Sequence, residues 1–104
     1  MNDKRHIFNA SFYTTETYQS EWRKWVDEMF LPFVAEQVPD SEHEIFEVQS
    51  EVNQGVLVFA VQIRCSTSAQ LETLQKESVS VFNDFRTRFG ERVANFNSVL
   101  IKID

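Results

Sequence analysis

Residues 18–33 of the chain read YQSEWRKWVDEMFLPF and contain both of its tryptophans. At about 100° per residue, a helix over this stretch has one apolar stripe, formed by Trp22, Trp25, Val26, Met29 and Phe33, with Phe30 widening it. Pro32 lacks a backbone N–H, so we expect it to kink or interrupt the helix just before it. The stretch therefore predicts an aromatic helix, beginning near Tyr18, that lies on a sheet formed by the rest of the chain.

Upstream of this helix, residues 6–14 alternate in the manner of a strand. Phe8, Ala10 and Phe12 share one side, and the intervening residues, among them Ile7 and Tyr13, share the other. The polar connection 14–17 follows, and we expect one of its hydroxyls to cap the helix.

Downstream, residues 44–52 and 56–65 predict two strands joined by a turn at 53–55. In the first, Phe46, Val48 and Val52 share one side, while Ile45, Glu47, Gln49 and Glu51 share the other. In the second, the more apolar side runs from Leu57 to Cys65. For both apolar sides to reach one face, Val52 must align with Leu57, so we expect an even number of connecting residues. An odd number would turn Glu47 and Glu51 toward the buried face unless a bulge restored the register.

The remainder predicts a second helix and a last strand. Thr67 and Gln70 fit a capping box, Gly90 fits a helix terminator, and the last strand covers roughly residues 93–103. The helix has one apolar side, formed by Leu71, Leu74, Val81, Phe82, Phe85 and Phe89. In the last strand, Val99, Ile101 and Ile103 share one side, and Ser98, Leu100 and Lys102 share the other.

The predicted order is strand, helix, strand, strand, helix, strand. With right-handed crossovers it gives an α+β, ferredoxin-like βαββαβ fold, in which two helices cover one face of a four-stranded antiparallel sheet. The expected spatial order of the strands is fourth, first, third, second. A chain of 104 residues is the size of a single domain, which we expect to span residues 1–104.

Composition and charge narrow the possible partners. The net charge of −6 argues against nucleic acid and against an anionic membrane surface, since both are bound by clustered Lys and Arg. The N-terminal residues lack the apolar run of a signal peptide, and the single cysteine, Cys65, has no partner for an intramolecular disulfide. We therefore expect a cytoplasmic protein.

The face without helices is expected to contain both apolar and polar residues. Its predicted members are Ile7, Asn9, Ser11, Tyr13, Glu47, Gln49, Val58, Ala60, Gln62, Arg64, Ser98 and Leu100. Apolar patches of this kind tend to mark interfaces, so we expect a homodimer with two sheets packed face to face, forming a dimeric α/β barrel. Arg64 and Glu47 would be able to pair across that interface.

Several short motifs resemble those of a small bacterial family of domains of unknown function. They are Ile7-Phe8-Asn9-Ala10, Trp22-x-x-Trp25 followed by Leu31-Pro32, Phe59-Ala-Val-Gln62-x-Arg64, and Arg88-Phe89-Gly90-Glu-Arg92-Val-x-x-Phe96. The resemblance implies ferredoxin-like units that pair into dimeric α/β barrels, and it implies no activity. Where the family pattern has a histidine before the Leu-Pro pair, this chain has Phe30.

One polar set on neighbouring central strands is a candidate ligand site: Asn9, Ser11, Tyr13, Gln62 and Arg64. Amides, a tyrosine and an arginine can bind a small carboxylate or carbonyl compound, whereas an interface network without ligand is the alternative. The spacing of His6 and His43 matches no metal motif, and Cys65 is expected in the core. We therefore predict no catalytic residue, no metal and no cofactor.

Three functional hypotheses follow. The favoured one is a non-catalytic homodimeric α/β-barrel module that binds a small metabolite or a protein partner. The second is a cofactor-independent enzyme, such as a monooxygenase or isomerase, which would use Tyr13 and Arg64 and would require a cavity beside them. The third is a structural or regulatory subunit of a larger complex.

Overall fold

The computed structural model describes residues 4–49 and 55–104. Its elements, in chain order, are β1 (His6–Thr14), α1 (Glu16–Trp25), a π-helical turn (Val26–Phe30), α2 (Leu31–Gln37), β2 (Glu42–Val48), β3 (Leu57–Cys65), α3 (Ser68–Phe89), a 3₁₀ turn (Gly90–Arg92) and β4 (Ala94–Ile101). The strands form an antiparallel sheet in the order β2-β3-β1-β4, which confirms the predicted ferredoxin-like topology. Within these residues, no helix has the length and apolar character needed to cross a membrane.

The core lies between the sheet and the helices, and Phe12 is at its centre. This residue of β1 is fully buried. Its ring contacts Trp22 and Trp25 of α1 and Phe82 and Phe85 of α3, at centroid distances of 5.4 to 6.4 Å. Tilted and edge-to-face ring pairs of this kind stabilise beyond the area they bury, by about 0.5–1.5 kcal/mol each. The aromatic residues of the helices thus hold α1 and α3 on the same side of the sheet.

The first helical segment differs from its prediction in where it begins and in which residues it buries. It begins at Glu16 rather than Tyr18, and the N-cap residue Thr15 makes no side-chain capping hydrogen bond, so the expected hydroxyl cap is wrong. Met29 is 47% exposed, whereas Phe30 is completely buried and stacks on Trp25 at 5.5 Å.

The physical reason is the π-helical turn. Here the N–H of Leu31 reaches the carbonyl of Val26, so one turn holds more residues than an α-turn and the following side chains are rotated. A stripe extrapolated at α-helical spacing therefore includes Met29, which is exposed, and gives Phe30 only a marginal place, although Phe30 is completely buried. Pro32 lies in the first turn of α2, where its missing N–H is tolerated, so the helical path changes type before the proline and continues after it.

The second predicted helix is confirmed in detail as α3. The Thr67 side chain accepts a hydrogen bond from the Gln70 N–H at 3.1 Å, and the Gln70 side chain accepts one from the Thr67 N–H at 3.3 Å. Every residue of the predicted apolar side is buried. Gly90 ends the helix at a φ of 56°, in the left-handed region that glycine adopts without strain.

The predicted face assignment of β2 is wrong. Ile45 pairs with Val61 and packs against the core, whereas Phe46 pairs with Ala60 on the side that has no helices. Val48 pairs with Val58, so an odd number of residues separates them, and Glu47 consequently points to the helical side. Both sides of this strand carry apolar residues, so its own pattern specifies the register weakly. The predicted turn residues 53 and 54, with Glu51 and Val52, lie outside the described residues.

Candidate functional site

The open face is the side of the sheet opposite the helices, and it is the candidate functional site. Alternation along the strands places these residues on it: Ile7, Asn9, Ser11 and Tyr13 of β1; Glu42, Glu44, Phe46 and Val48 of β2; Val58, Ala60, Gln62 and Arg64 of β3; Ala94, Phe96, Ser98 and Leu100 of β4. Glu47 belongs to the other side and Gln49 follows the end of β2, so neither is an open-face strand residue as predicted.

Polar residues cross the open face as one hydrogen-bonded series. Arg64 Nε donates to Glu44 at 2.5 Å, and Arg64 Nη2 lies 3.5 Å from Gln62 Oε1. Gln62 Nε2 donates to Asn9 Oδ1 at 3.3 Å, and Asn9 Nδ2 donates to Ser11 Oγ at 3.1 Å. We call these five residues the polar chain. Arg64 therefore pairs with Glu44 of its own subunit, and the expected pairing with Glu47 is wrong because Glu47 lies on the opposite side.

Four of the five exposed large apolar residues of the open face lie in the half nearer the end of β2. Phe46, Val48 and Phe96 are 41%, 45% and 66% exposed, and Tyr13 contacts Phe96 edge-to-face at 5.7 Å. These four residues are the apolar patch. One row of paired residues crosses the sheet from Phe46 on β2 to Phe96 on β4, the two outer strands. The small residues Ala60 and Ser11 lie between them in this row. The patch is thus a shallow trough, with aromatic walls separated by three strand spacings, about 14 Å.

The central apolar residues are less exposed than predicted. Ile7, Val58 and Ala60 lie on the open face but are already buried within one subunit. Tyr13 and Leu100 are exposed, as expected. The exposed apolar area is therefore concentrated on the two outer strands.

Four of the five predicted ligand-binding residues lie together. Asn9, Ser11, Gln62 and Arg64 belong to the polar chain, while Tyr13 lies in the apolar patch beyond it. Neither the cleft of about 290 Å³ at the hairpin end of β2 and β3 nor the open groove along α3 includes any of the five. What the arrangement offers is a flat polar surface with mutually bonded groups.

The sequence prediction missed three apolar patch residues, for two reasons. Phe96 has the same parity as Ser98 and Leu100, so the alternation of β4 was a sufficient signal for it. Phe46 and Val48 depend on the register of β2, and their own alternation indicated the opposite face.

Cys65 and the histidines offer no additional site. Cys65 is a fully buried free thiol, and desolvation, with a smaller contribution from the Asp40 carboxylate, raises its pKa, so the unreactive protonated form is favoured. His6 lies at the beginning of β1 and His43 is exposed on β2. Across 4–49 and 55–104, no three His, Cys, Asp or Glu side chains are grouped as metal ligands.

Comparison with known proteins supports the family and the fold. The family model for a domain of unknown function (DUF4286) matches residues 5–103. No curated protein matches the sequence significantly.

Among solved structures, the de novo designed protein Foldit4 is similar over 94% of this chain and 98% of its own, with a TM-score of 0.64 and 12% identity. A de novo design with a ferredoxin fold, LFR1 1, gives a TM-score of 0.58 at 10% identity, covering 96% of this chain and 88% of its own. A protein from Burkholderia cenocepacia assigned as an amidohydrolase/peptidase gives 0.59 at 11% identity, over 93% of this chain but 28% of its own. At these identities, the similarities concern the fold alone.

Proposed function

We propose that this chain, which belongs to the DUF4286 family of domains of unknown function, is a non-catalytic homodimeric module that binds a small metabolite or a protein partner. In this proposal, the open face of one subunit packs on the open face of a second, and the two sheets enclose a dimeric α/β barrel. The finding that carries the proposal is the apolar patch, in which Phe46, Val48 and Phe96 are each more than 40% exposed on a face without helices.

The chemistry of the apolar patch supports an interface. Transfer of apolar surface out of water contributes about 25 cal/mol per Å², and interface cores are enriched in aromatic residues and depleted of charge. The patch contains Tyr13, Phe46 and Phe96 and no charged residue. Its trough, floored by Ala60 and Ser11, leaves room for side chains from an opposing sheet.

The polar chain supports a binding role more than a catalytic one. A catalytic group needs a perturbed environment and access to a substrate in a cavity, whereas Arg64, Gln62 and Asn9 are bonded to one another and to Glu44. When two open faces meet, these amide and guanidinium groups lie beside the apolar patch. There they give the interface its orientation and provide contacts for a small carboxylate or carbonyl compound.

Native mass spectrometry with two matched variants tests the proposal. Phe46→Glu puts a charge in the apolar patch, and Val79→Glu makes the same kind of change on the exposed side of α3, where Val79 is 58% exposed. We expect the wild-type protein to form an assembly with an even number of subunits. F46E is expected to halve that number, and V79E is expected to leave it unchanged. A retained small molecule would appear as added mass on the wild-type assembly.

Two outcomes would overturn the proposal. One is a wild-type chain that is monomeric at all concentrations tested. The other is an F46E variant that keeps the wild-type number of subunits while circular dichroism shows it to be folded.

A further inference from the structure

The outer edge of β4 presents main-chain groups that face away from the sheet. β4 is the last strand of the sheet and pairs with β1 alone among the described strands. The N–H of Lys102 donates to the carbonyl of Arg5 at 2.9 Å, so Lys102 turns its main chain toward β1. Because bonding groups alternate along an antiparallel strand, Asn95, Asn97, Val99 and Ile101 turn theirs outward.

From this edge we infer a second self-association surface, at which β4 pairs antiparallel with β4 of another copy of the chain. The inference goes beyond the open-face dimer and does not depend on it.

The two edges of the sheet differ in charge. β4 carries no charged residue from Ala94 to Ile101, whereas β2, at the opposite edge, carries Glu42, Glu44 and Glu47. Charged residues on an edge strand prevent pairing with other chains. In a chain of net charge −6, two β2 edges would place glutamates against each other, while two β4 edges meet without charge. The second copy is therefore expected at β4.

The sequence of β4 is complementary to itself about a twofold axis. With Ser98 opposite Ser98 of the second copy, Phe96 faces the second copy's Leu100 on the open face. On the helical side, Asn95 faces Ile101 and Asn97 faces Val99. These last pairs are the residues with outward main-chain groups, so the same register satisfies both the hydrogen bonds and the alternation of faces.

Exposure of the β4 side chains supports a copy at this position. Phe96 and Leu100 on the open face are 66% and 44% exposed, and Val99 and Ile101 on the helical side are 45% and 57% exposed. The subunit's own helices thus leave the helical side of this edge uncovered. In the paired register, side chains of the second copy lie beside these four on both sides of the edge, which removes part of their surface from water.

The test removes one outward donor and counts subunits by native mass spectrometry. Val99→Pro removes the outward N–H and leaves β1 pairing intact, because Ser98 and Leu100 make those bonds. Val99→Ala is the matched control, since it shortens the side chain and keeps the N–H. With both self-association surfaces present, we expect four subunits for wild type and V99A, two for V99P, two for F46E and one for the double variant.

Hydrogen exchange on the wild-type chain gives a second measurement that needs no substitution. If β4 pairs with a copy, the outward amides of Asn97 and Val99 are protected as strongly as the inward amides of Ser98 and Leu100. An unpaired edge protects alternate residues only. Should V99P fail to fold, Asn97→Lys replaces it, because it adds charge at the edge without removing a donor.

Each outcome separates the two proposals. The β4 inference is overturned if folded V99P matches V99A in subunit number, if the outward amides exchange freely, or if a polypeptide of different mass occupies the edge. If V99P halves the subunit number while F46E changes nothing, the edge pairing stands and the open-face dimer fails.

Discussion

Phe12, Trp25 and Phe30 show how individual residues determine which side of the sheet is closed. Phe12 projects from β1 into the helical layer. The ring centroid of Trp25 lies 4.7 Å from that of Phe85 and 5.5 Å from that of Phe30. The only exposed residue of the predicted stripe is Met29, directly before Phe30. At this scale, the exposure of Met29 beside the fully buried Phe30 is the clearest signature of the π-helical turn.

Truncation of Phe30 should destabilise the protein far more than truncation of Met29. Phe30→Ala is expected to lower the free energy of unfolding by about 3–5 kcal/mol, since it leaves a cavity among Trp25 and Phe82. Met29→Ala is expected to change it by less than about 0.5 kcal/mol, because the side chain is half exposed. Urea denaturation of both variants measures the difference. A larger loss of unfolding free energy for M29A than for F30A would indicate a regular α-helical register and would contradict the π-helical turn.

At the scale of elements, the strands and α3 were predictable because local signals determine them. The capping box, Gly90 and the apolar spacing of α3 each depend on residues a few positions apart. The site residues Asn9, Ser11, Gln62 and Arg64 were placed on one face because β1 and β3 alternate clearly. The register of β2 was not predictable, since Phe46 and Ile45 offer an apolar residue to either face and the pairing with β3 decides between them.

The two helix N-termini provide a matched pair for testing the contribution of capping. Thr67→Ala removes the acceptor of the Gln70 N–H and is expected to cost about 1 kcal/mol of stability. Thr15→Ala removes an N-cap hydroxyl that makes no capping bond, so a change within about 0.5 kcal/mol is expected. Thermal or urea unfolding compares them. Equal losses from both substitutions would mean that the Thr67 hydroxyl contributes nothing specific.

At the scale of the whole molecule, the subunit is a thin plate of 42 × 30 × 17 Å, with one helical layer on one sheet. A plate exposes more of its sheet than a two-sided α/β domain does, so its uncovered side has to be polar or has to find a partner. Here the apolar patch lies on that side and contains no charged residue, while Glu42, Glu44 and Arg64 lie beyond the patch on the same face.

The net negative charge of the chain and the uncharged apolar patch together predict the response of association to salt. Subunits of equal negative charge repel, and an interface formed by the apolar patch contains no ion pair to weaken. Raising NaCl from about 0.05 M to about 1 M is therefore expected to tighten association, because the Debye length falls from more than 10 Å to about 3 Å. Sedimentation equilibrium at both salt concentrations measures the dissociation constant. Weaker association at high salt would indicate an interface held by opposite charges.

Pro32 depends on the wide turn at Val26–Phe30, whereas the turn does not depend on Pro32. A homologue that lost one residue from the turn would restore an ordinary helical ladder, and the proline would then withhold a donor that the ladder requires. A homologue that kept the turn would tolerate many residues at position 32. We therefore expect homologues that lack one residue of this segment also to lack the proline at position 32. Homologues that keep the turn are expected to vary at that position.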